Sequence, residues 1–422
     1  MIGVSLFLYS LFSWFKPQYA LGLIVLFLPA YQIKFYLGSI PFTFLEALVL
    51  ILFLVCFLKQ GKSFFKIKNS LKDWWPIILI WLIIATGAMF LSPDLKAGAG
   101  VWRAYFVEPL LFLIIFLNLI SRTKGFKIVS VCLLITGLYL SLGAFIQKFF
   151  QQGILSTEVW GQDQVLRVTS VFNHPNFLGL FLGPLIILGL GQIFFLFKNK
   201  KKTIKVILAF LYFLFCFSAL ILARSEGAIL AVLIGLIFWG LLCFPFKKKF
   251  LISLIIILLI ILVLPWSRTY ILEKVFFQDL SGQFRINIWQ GALDLLKNAP
   301  WTGVGLDGYE KLIPLYQSQS FEFQGQTFWA FFQPYPHNLF LTLWLELGLL
   351  GLGVFFWLIV KFFKQGLENF KQESFLRGAI LASLLVVLIH GLVDTPYFKN
   401  DLAILFWLII GLGIFLYNPK KI

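Results

Sequence analysis

Apolar residues run along this chain in long blocks separated by short polar connections. The blocks lie at 18–36, 42–58, 76–91, 101–120, 127–147, 173–197, 203–223, 226–244, 249–266, 338–360, 376–393 and 401–417. Most approach the ~20 residues that a helix needs to cross a ~30 Å hydrocarbon core, so twelve membrane spans are expected. Residues 3–15 are apolar but short, which predicts an interfacial or half-inserted helix rather than a thirteenth span. The start of the chain lacks a basic segment and a small-residue cleavage site, so no processed leader is expected. One stretch breaks the pattern: residues 267–336 are polar and aromatic, and they end in Pro336-His337-Asn338 against the next apolar block.

Composition fixes the solvent. With 60% hydrophobic and 13% charged residues over 422 positions, the apolar side chains exceed what one soluble core can hide, because such cores stop growing near ~250–300 residues. Charge then fixes a sidedness. Of the 35 lysines and arginines, 23 fall in alternate connections: 59–72, 122–127, 198–205, 247–249, 361–377, 420–421 and Lys16. By the positive-inside rule those connections and both termini are cytosolic, and 267–336 faces outward. The net charge of +17 therefore reports orientation and contact with anionic lipid, and no nucleic-acid partner is expected. Cys56, Cys132, Cys216 and Cys243 lie inside apolar blocks and read as small hydrophobes. The fold class expected is all-α: one polytopic integral membrane domain over 1–422, with about twelve transmembrane helices and an extracytoplasmic loop at 267–336 that contains short helices.

Within that loop, Ile286, Trp289, Leu293 and Leu296 recur at helical spacing, with Gln290, Asp294 and Lys297 on another face. This predicts a helix along the interface. Pro300 and the glycines at 303, 305 and 308 then end it. Ionisable residues that lipid should exclude concentrate toward the outward boundary: His174, His337, His390, Arg103, Glu108, Arg167, Arg224, Glu226, Arg285 and Asp394. Such residues usually face a cavity or a partner. Arginine suits a pyrophosphate, because its planar fork stays charged and meets phosphate oxygens bidentately. Histidine suits a proton acceptor near neutral pH. The chain has no Asp-x-Asp pair, P-loop or His-Glu-x-x-His pattern, so neither a metal nor a nucleotide cofactor is expected.

Taken together and in order, several stretches resemble the O-antigen ligase and O-antigen polymerase family of bacterial envelope proteins. They are Arg167-Val-Thr-Ser-Val-Phe-Asn-His174-Pro-Asn176, Ala223-Arg224-Ser-Glu226-Gly227, Arg285-x-x-x-Trp289 leading to Pro300-x-x-Gly303-x-Gly305, His337-Asn338 with Glu346-x-Gly348-x-x-Gly351, and His390-Gly-Leu-Val-Asp394. The resemblance covers most of 100–417. It implies a twelve-span inner-membrane glycosyltransferase, active on the outward face, that takes a preassembled glycan from undecaprenyl pyrophosphate. The acceptor would be a glycolipid for a ligase or another glycan for a polymerase. It further implies His337 as the base and Arg285 and Arg224 as binders of the pyrophosphate. Arg167, His174, Asn338 and Trp289 are expected as substrate contacts, and no metal is implied. The family's arginine usually stands in a Ser-Arg-Gly-like turn. Here Glu226 follows Arg224 by two residues, where it is placed to pair with it.

Each of these residues also has a plain structural reading. Arg224 at an outer turn would snorkel to the interface, Arg285 would anchor its helix to headgroups, and His337 would cap a span. His174 before Pro175 reads as a turn residue. His390 and Asp394, four apart, read as a satisfied polar pair, and Gly303-x-Gly305 as a turn. Glu346 lies about half a helical turn round from His337 and ~13 Å deeper, which predicts an internal contact between spans. The rivals from other classes are a solute transporter, such as one for inorganic carbon, and a non-catalytic scaffold. A transporter would show broken helices and charges at the midplane.

Overall fold

A computed structural model of the chain describes residues 2–61, 64, 71–120, 123–150, 167–244, 272–274, 276–368, 370 and 374–417. Helices occupy Ile2–Phe15 (α1), Pro17–Leu26 (α2), Phe44–Gln60 (α3), Trp75–Phe90 (α4), Leu95–Ile120 (α5), Thr123–Phe150 (α6), Pro175–Leu196 (α7), Lys202–Ala223 (α8), Glu226–Cys243 (α9), Leu280–Asn298 (α10), Gly308–Leu312 (α11), Leu339–Leu367 (α12), Phe375–His390 (α13) and Asn400–Tyr417 (α14). The strands form two small antiparallel hairpins. Lys34–Leu37 (β1) pairs with Ile40–Thr43 (β2), and Ser320–Phe323 (β3) pairs with Gln326–Trp329 (β4). The protein is thus an all-α polytopic membrane protein. Seven described helices, α5 to α9, α12 and α14, are long and apolar enough to cross a bilayer.

Helices stand at eleven of the twelve expected spans; the twelfth, 249–266, lies outside the described residues. Two are shorter than expected. α2 stops at Leu26 and the chain passes through a 3-10 turn, Leu28–Gln32, into β1; Pro29 has no amide hydrogen to extend the helix. α13 stops at His390, and an irregular, largely buried segment follows from Gly391. Non-helical backbone at membrane depth survives only where protein or a polar cavity meets its hydrogen-bonding groups. The short apolar helix α1 is tied to α2 by the Tyr9 hydroxyl, which donates to the Ala20 carbonyl at 3.2 Å.

Cross-contacts sort the connections onto two sides. On one, Lys59 meets the Trp14 carbonyl, Trp74 Nε1 donates to Gln365 (3.2 Å) and Arg377 Nε donates to the Gly366 carbonyl (2.8 Å). On the other, Gln32 reaches Val171 (2.7 Å), and the amides of Leu306 and Leu339 reach the carbonyls of Ala88 (3.0 Å) and Gly391 (2.7 Å). The long loop sits on this second side.

The loop is wedged into the bundle rather than laid over it. α12 is interrupted at Gly348 (φ 71°, ψ −178°), and the freed backbone groups bond to the loop. Leu349 N donates to the Trp301 carbonyl (3.0 Å), and Val304 N donates to the Leu345 carbonyl (2.7 Å). The Glu346 carboxylate accepts from the amides of Asp307 (2.6 Å) and Tyr309 (3.3 Å). Glu346 therefore hydrogen-bonds the loop. Gly303 and Gly305 form a turn in left-handed backbone. A β-carbon on Gly303 would strike the carbonyls of Leu345 and Trp344, and one on Gly305 would strike the backbone of Leu91 and Ser92.

α10 exists as expected, but its buried face differs. Ile288, Ala292, Leu295 and Leu296 are covered, whereas Leu293 is exposed. The reason is Gly291, which presses on the backbone of Gln317 at a distance that admits no side chain. Apolar periodicity does not register a face set by a glycine. With Tyr309, Ile313 and Leu345, that face makes a small second core.

Gly348→Ala should separate this wedge from simple loop packing. The φ/ψ pair at Gly348 is open essentially to glycine alone, which costs an alanine about 1–3 kcal/mol, and its β-carbon would collide with Thr302. A lowered melting temperature in detergent is expected, with faster proteolysis of 267–336; an unchanged melt and digestion pattern would remove the wedge as an anchor.

Candidate active site

The site is built around the end of α13. A helix terminus leaves its last carbonyls without intrahelical donors, and here consecutive groups from Gly391 to Thr395 are used by other parts of the chain. Leu339 N donates to the Gly391 carbonyl (2.7 Å) and Asn338 Nδ2 to the Leu392 carbonyl (3.0 Å). Arg285 Nε donates to the Val393 carbonyl (3.1 Å). His337 Nδ1 lies 3.3 Å from Asp394 Oδ1. The Thr395 hydroxyl meets that of Thr342 (3.4 Å). Two residues far apart in sequence, Arg285 and His337, are thereby fastened to neighbouring positions.

Local chemistry holds His337 in place. It adopts left-handed backbone (φ 49°), a region that side chains with a β-carbon visit rarely. On one flank Trp289 Nε1 donates to the Pro336 carbonyl (2.8 Å), and Phe277 packs edge-on against Trp289. On the other, Asn338 caps α12 by accepting from Leu341 N (2.9 Å). The Asp394 carboxylate is buried. Burial alone would raise its pKa, but the hydrogen bond and charge of His337, then His390 and the Thr395 amide, hold it below the usual carboxylate range. When the imidazole is neutral, a hydrogen bond to the Asp394 carboxylate places its proton on Nδ1 and leaves the Nε2 lone pair as the acceptor.

The arginines gather beside this pair. Arg285 Nη1 also donates to Ser281 Oγ (2.8 Å). Arg224, in left-handed backbone at the end of α8 (φ 50°), is exposed, and no hydrogen bond or ion pair engages its guanidinium among the described residues. Arg167 bonds the carbonyls of Ala223 and Arg224 (both 3.0 Å) and the Asn176 side chain (3.1 Å). It thereby braces the Arg224 turn. Burial lowers the Arg167 pKa, Glu226 opposes that, and Arg224 and Arg285 add to the fall. The three cations thus share one electrostatic environment. The expected Arg224–Glu226 pair does not form; Glu226 bonds Lys274 instead (2.8 Å), which also holds Asp279 (2.7 Å).

Other expected residues have structural duties. His174 caps α7, its Nδ1 accepting from Asn176 N (3.1 Å). Burial takes its imidazole down to about 4, with Asp394 opposing and Arg167 and His337 adding to the fall. The expected His390–Asp394 pair is replaced. α13 ends at His390, so i,i+4 geometry no longer applies, and His390 Nδ1 finds no hydrogen-bond partner among the described residues while Asp394 turns to His337. Asp394 was therefore missed as the histidine's partner. The available signal was its position at the mouth of the penultimate span, at the same boundary as His337. No cluster of three His, Cys, Asp or Glu suited to a metal occurs among the described residues.

Two measurements probe this geometry. Asp394→Asn lets the wrong histidine tautomer form, and the loss of turnover expected from comparable dyads is roughly 10²–10⁴-fold, with donor KM little changed; wild-type turnover would dissolve the pairing. His174, with a folded pKa below its ordinary 6.5, adds stability that is complete above pH 6.5 and is lost as pH falls toward about 4. Melting curves should show this acid loss shrink in His174→Asn, which caps α7 without titrating.

Comparison with known proteins matches residues 211–356 to the family model described as O-Antigen ligase, an interval that holds Arg224, Arg285, Trp289, His337 and Asn338. The chain is 24% identical over 351 residues, 80% of each chain, to the O-antigen ligase of Salmonella typhimurium (strain LT2). It is 30% identical over 122 residues to the "Putative polysaccharide ligase" of Rickettsia felis and 31% over 103 residues to its counterpart in Rickettsia conorii. Those two matches span 29% and 24% of either chain, so this chain covers less than a third of the length of these two relatives. Residues 211–356 thus match the O-antigen ligase family model, the family that the sequence motifs resemble.

Proposed function

We propose that the protein transfers a preassembled glycan from undecaprenyl pyrophosphate to a hydroxyl acceptor on the outward face of the inner membrane, with both termini cytosolic. The observation that carries this reading is the anchoring of Arg285 and His337 on adjacent residues, Val393 and Asp394, with Arg224 and Arg167 in electrostatic reach. The alternation of basic connections supports the orientation.

In this mechanism the acceptor oxygen bonds to the anomeric carbon of the donor glycan as the bond from that carbon to the pyrophosphate oxygen breaks. The hydroxyl proton passes to Nε2 of His337, whose tautomer and orientation Asp394 maintains. The electron pair leaves with the lipid pyrophosphate, and the charge that develops there is met by Arg285 and Arg224. Such charge-matched donors each lower the barrier by about 3–4 kcal/mol when water is excluded. A single displacement inverts the anomeric configuration.

The deciding experiment incubates purified protein with polyprenyl-pyrophosphoryl glycan and candidate acceptors and reads product length. One added block is expected; a ladder would indicate a polymerase instead. His337→Ala should abolish product while abundance and melting stay normal, and Arg285→Ala should chiefly weaken donor engagement. Normal turnover in the first variant removes the base assignment, and unchanged donor binding in the second reduces Arg285 to an anchor.

A further inference from the structure

A cavity lies apart from Arg167, Arg224 and Arg285. It measures about 840 Å³ and opens between the β1–β2 hairpin and the start of α5, with Met89 on its wall and Glu46 on its floor. Tyr36 and Ile40 in its lining are exposed apolar residues, as expected of a rim that meets lipid.

The charges inside do not cancel. Asp94 caps α5 through the amides of Lys96 and Ala97 (both 3.1 Å) and pairs with Lys311 (3.5 Å). Glu46 accepts from Thr43 N (2.6 Å) and Asn400 (2.8 Å). Arg103 bridges Glu46 (3.5 Å) and Glu108 (3.3 Å), donates to the Pro41 carbonyl (2.7 Å) and lies over the Phe42 ring. Lys34 and Lys96 remain. Both are exposed in the cavity lining, and neither side chain has a hydrogen bond, ion pair or ring contact among the described residues. Two ammonium groups without a direct partner, over an apolar rim, match an amphiphile with an anionic head, since lysine binds phosphate as a point charge and the rim takes acyl chain.

The cavity also adjoins the proposed site. Tyr105 lines it and packs edge-on against Phe398 (6.0 Å), which in turn packs on Tyr335 (5.2 Å), two residues before His337. One aromatic partition thus separates the cavity from the base, on a different wall from the arginines.

We infer that this cavity binds the phosphate-bearing head of a membrane amphiphile and that, on the transfer reading above, the occupant is the acceptor. The step of binding is testable without transfer. Native mass spectrometry of the full-length protein should retain dioleoyl phosphatidic acid over dioleoylglycerol. Lys34→Ala with Lys96→Ala should cut that retention roughly tenfold to thirtyfold, at about 1 kcal/mol for each interfacial lysine, while Arg285→Ala leaves it intact. In transfer assays the double variant should raise the KM for the acceptor and spare the KM for the donor. Equal retention of the two lipids, or retention unaltered in the double variant, overturns the inference. Selective lipid binding without any glycan transfer by the wild type would instead refute the proposed function and leave an anionic-lipid site.

Discussion

The hydrogen-bonding capacity left open where α13 stops is the constraint on which the site depends. In a bilayer, water does not satisfy a loose carbonyl, so the segment from Gly391 to Thr395 must be met by protein. It is met by the mouth of α12 and by the arginine of α10. The donors that satisfy this backbone also fix where a guanidinium and an imidazole can stand. Satisfying the membrane and positioning the chemistry are a single arrangement.

A second break makes the first one reachable. α12 departs from helical geometry at Gly348, and the turn at 301–309 fills the break and is held there by the Glu346 carboxylate. This fixes the far end of the loop in the bundle. α10, with its small core around Ala292 and Leu295, is then presented so that Trp289 reaches Pro336, next to His337, and Arg285 reaches Val393, next to Asp394. The loop is an inserted wall of the site.

Charge is distributed to leave that wall positive. Acids that would neutralise the arginines are occupied elsewhere: Glu226 by Lys274, and Asp394 by His337. Arg167 spends its donors on the turn that displays Arg224. Two residues in this group, Arg224 and His337, hold left-handed backbone. Such conformations persist only where surrounding contacts over-determine them, and they cluster at functional positions.

Sequence alone determined the membrane class, the positions of most spans and the boundary at which the ionisable residues gather. Those follow from block length and composition, which need no partner. Charge near lipid placed His337, Arg285 and Arg224 among the residues that demand an explanation, and the family resemblance implied their roles. Tertiary structure decided the partnerships. Asp394 looked four residues from His390 and belongs to His337; Glu226 looked near Arg224 and belongs to Lys274; the buried face of α10 follows a glycine contact with Gln317. Spacing along a helix predicts neighbours only while the helix continues. At helix ends and breaks, the bonding is set by whichever chain segment packs there, and that is a property of three-dimensional packing rather than of local order.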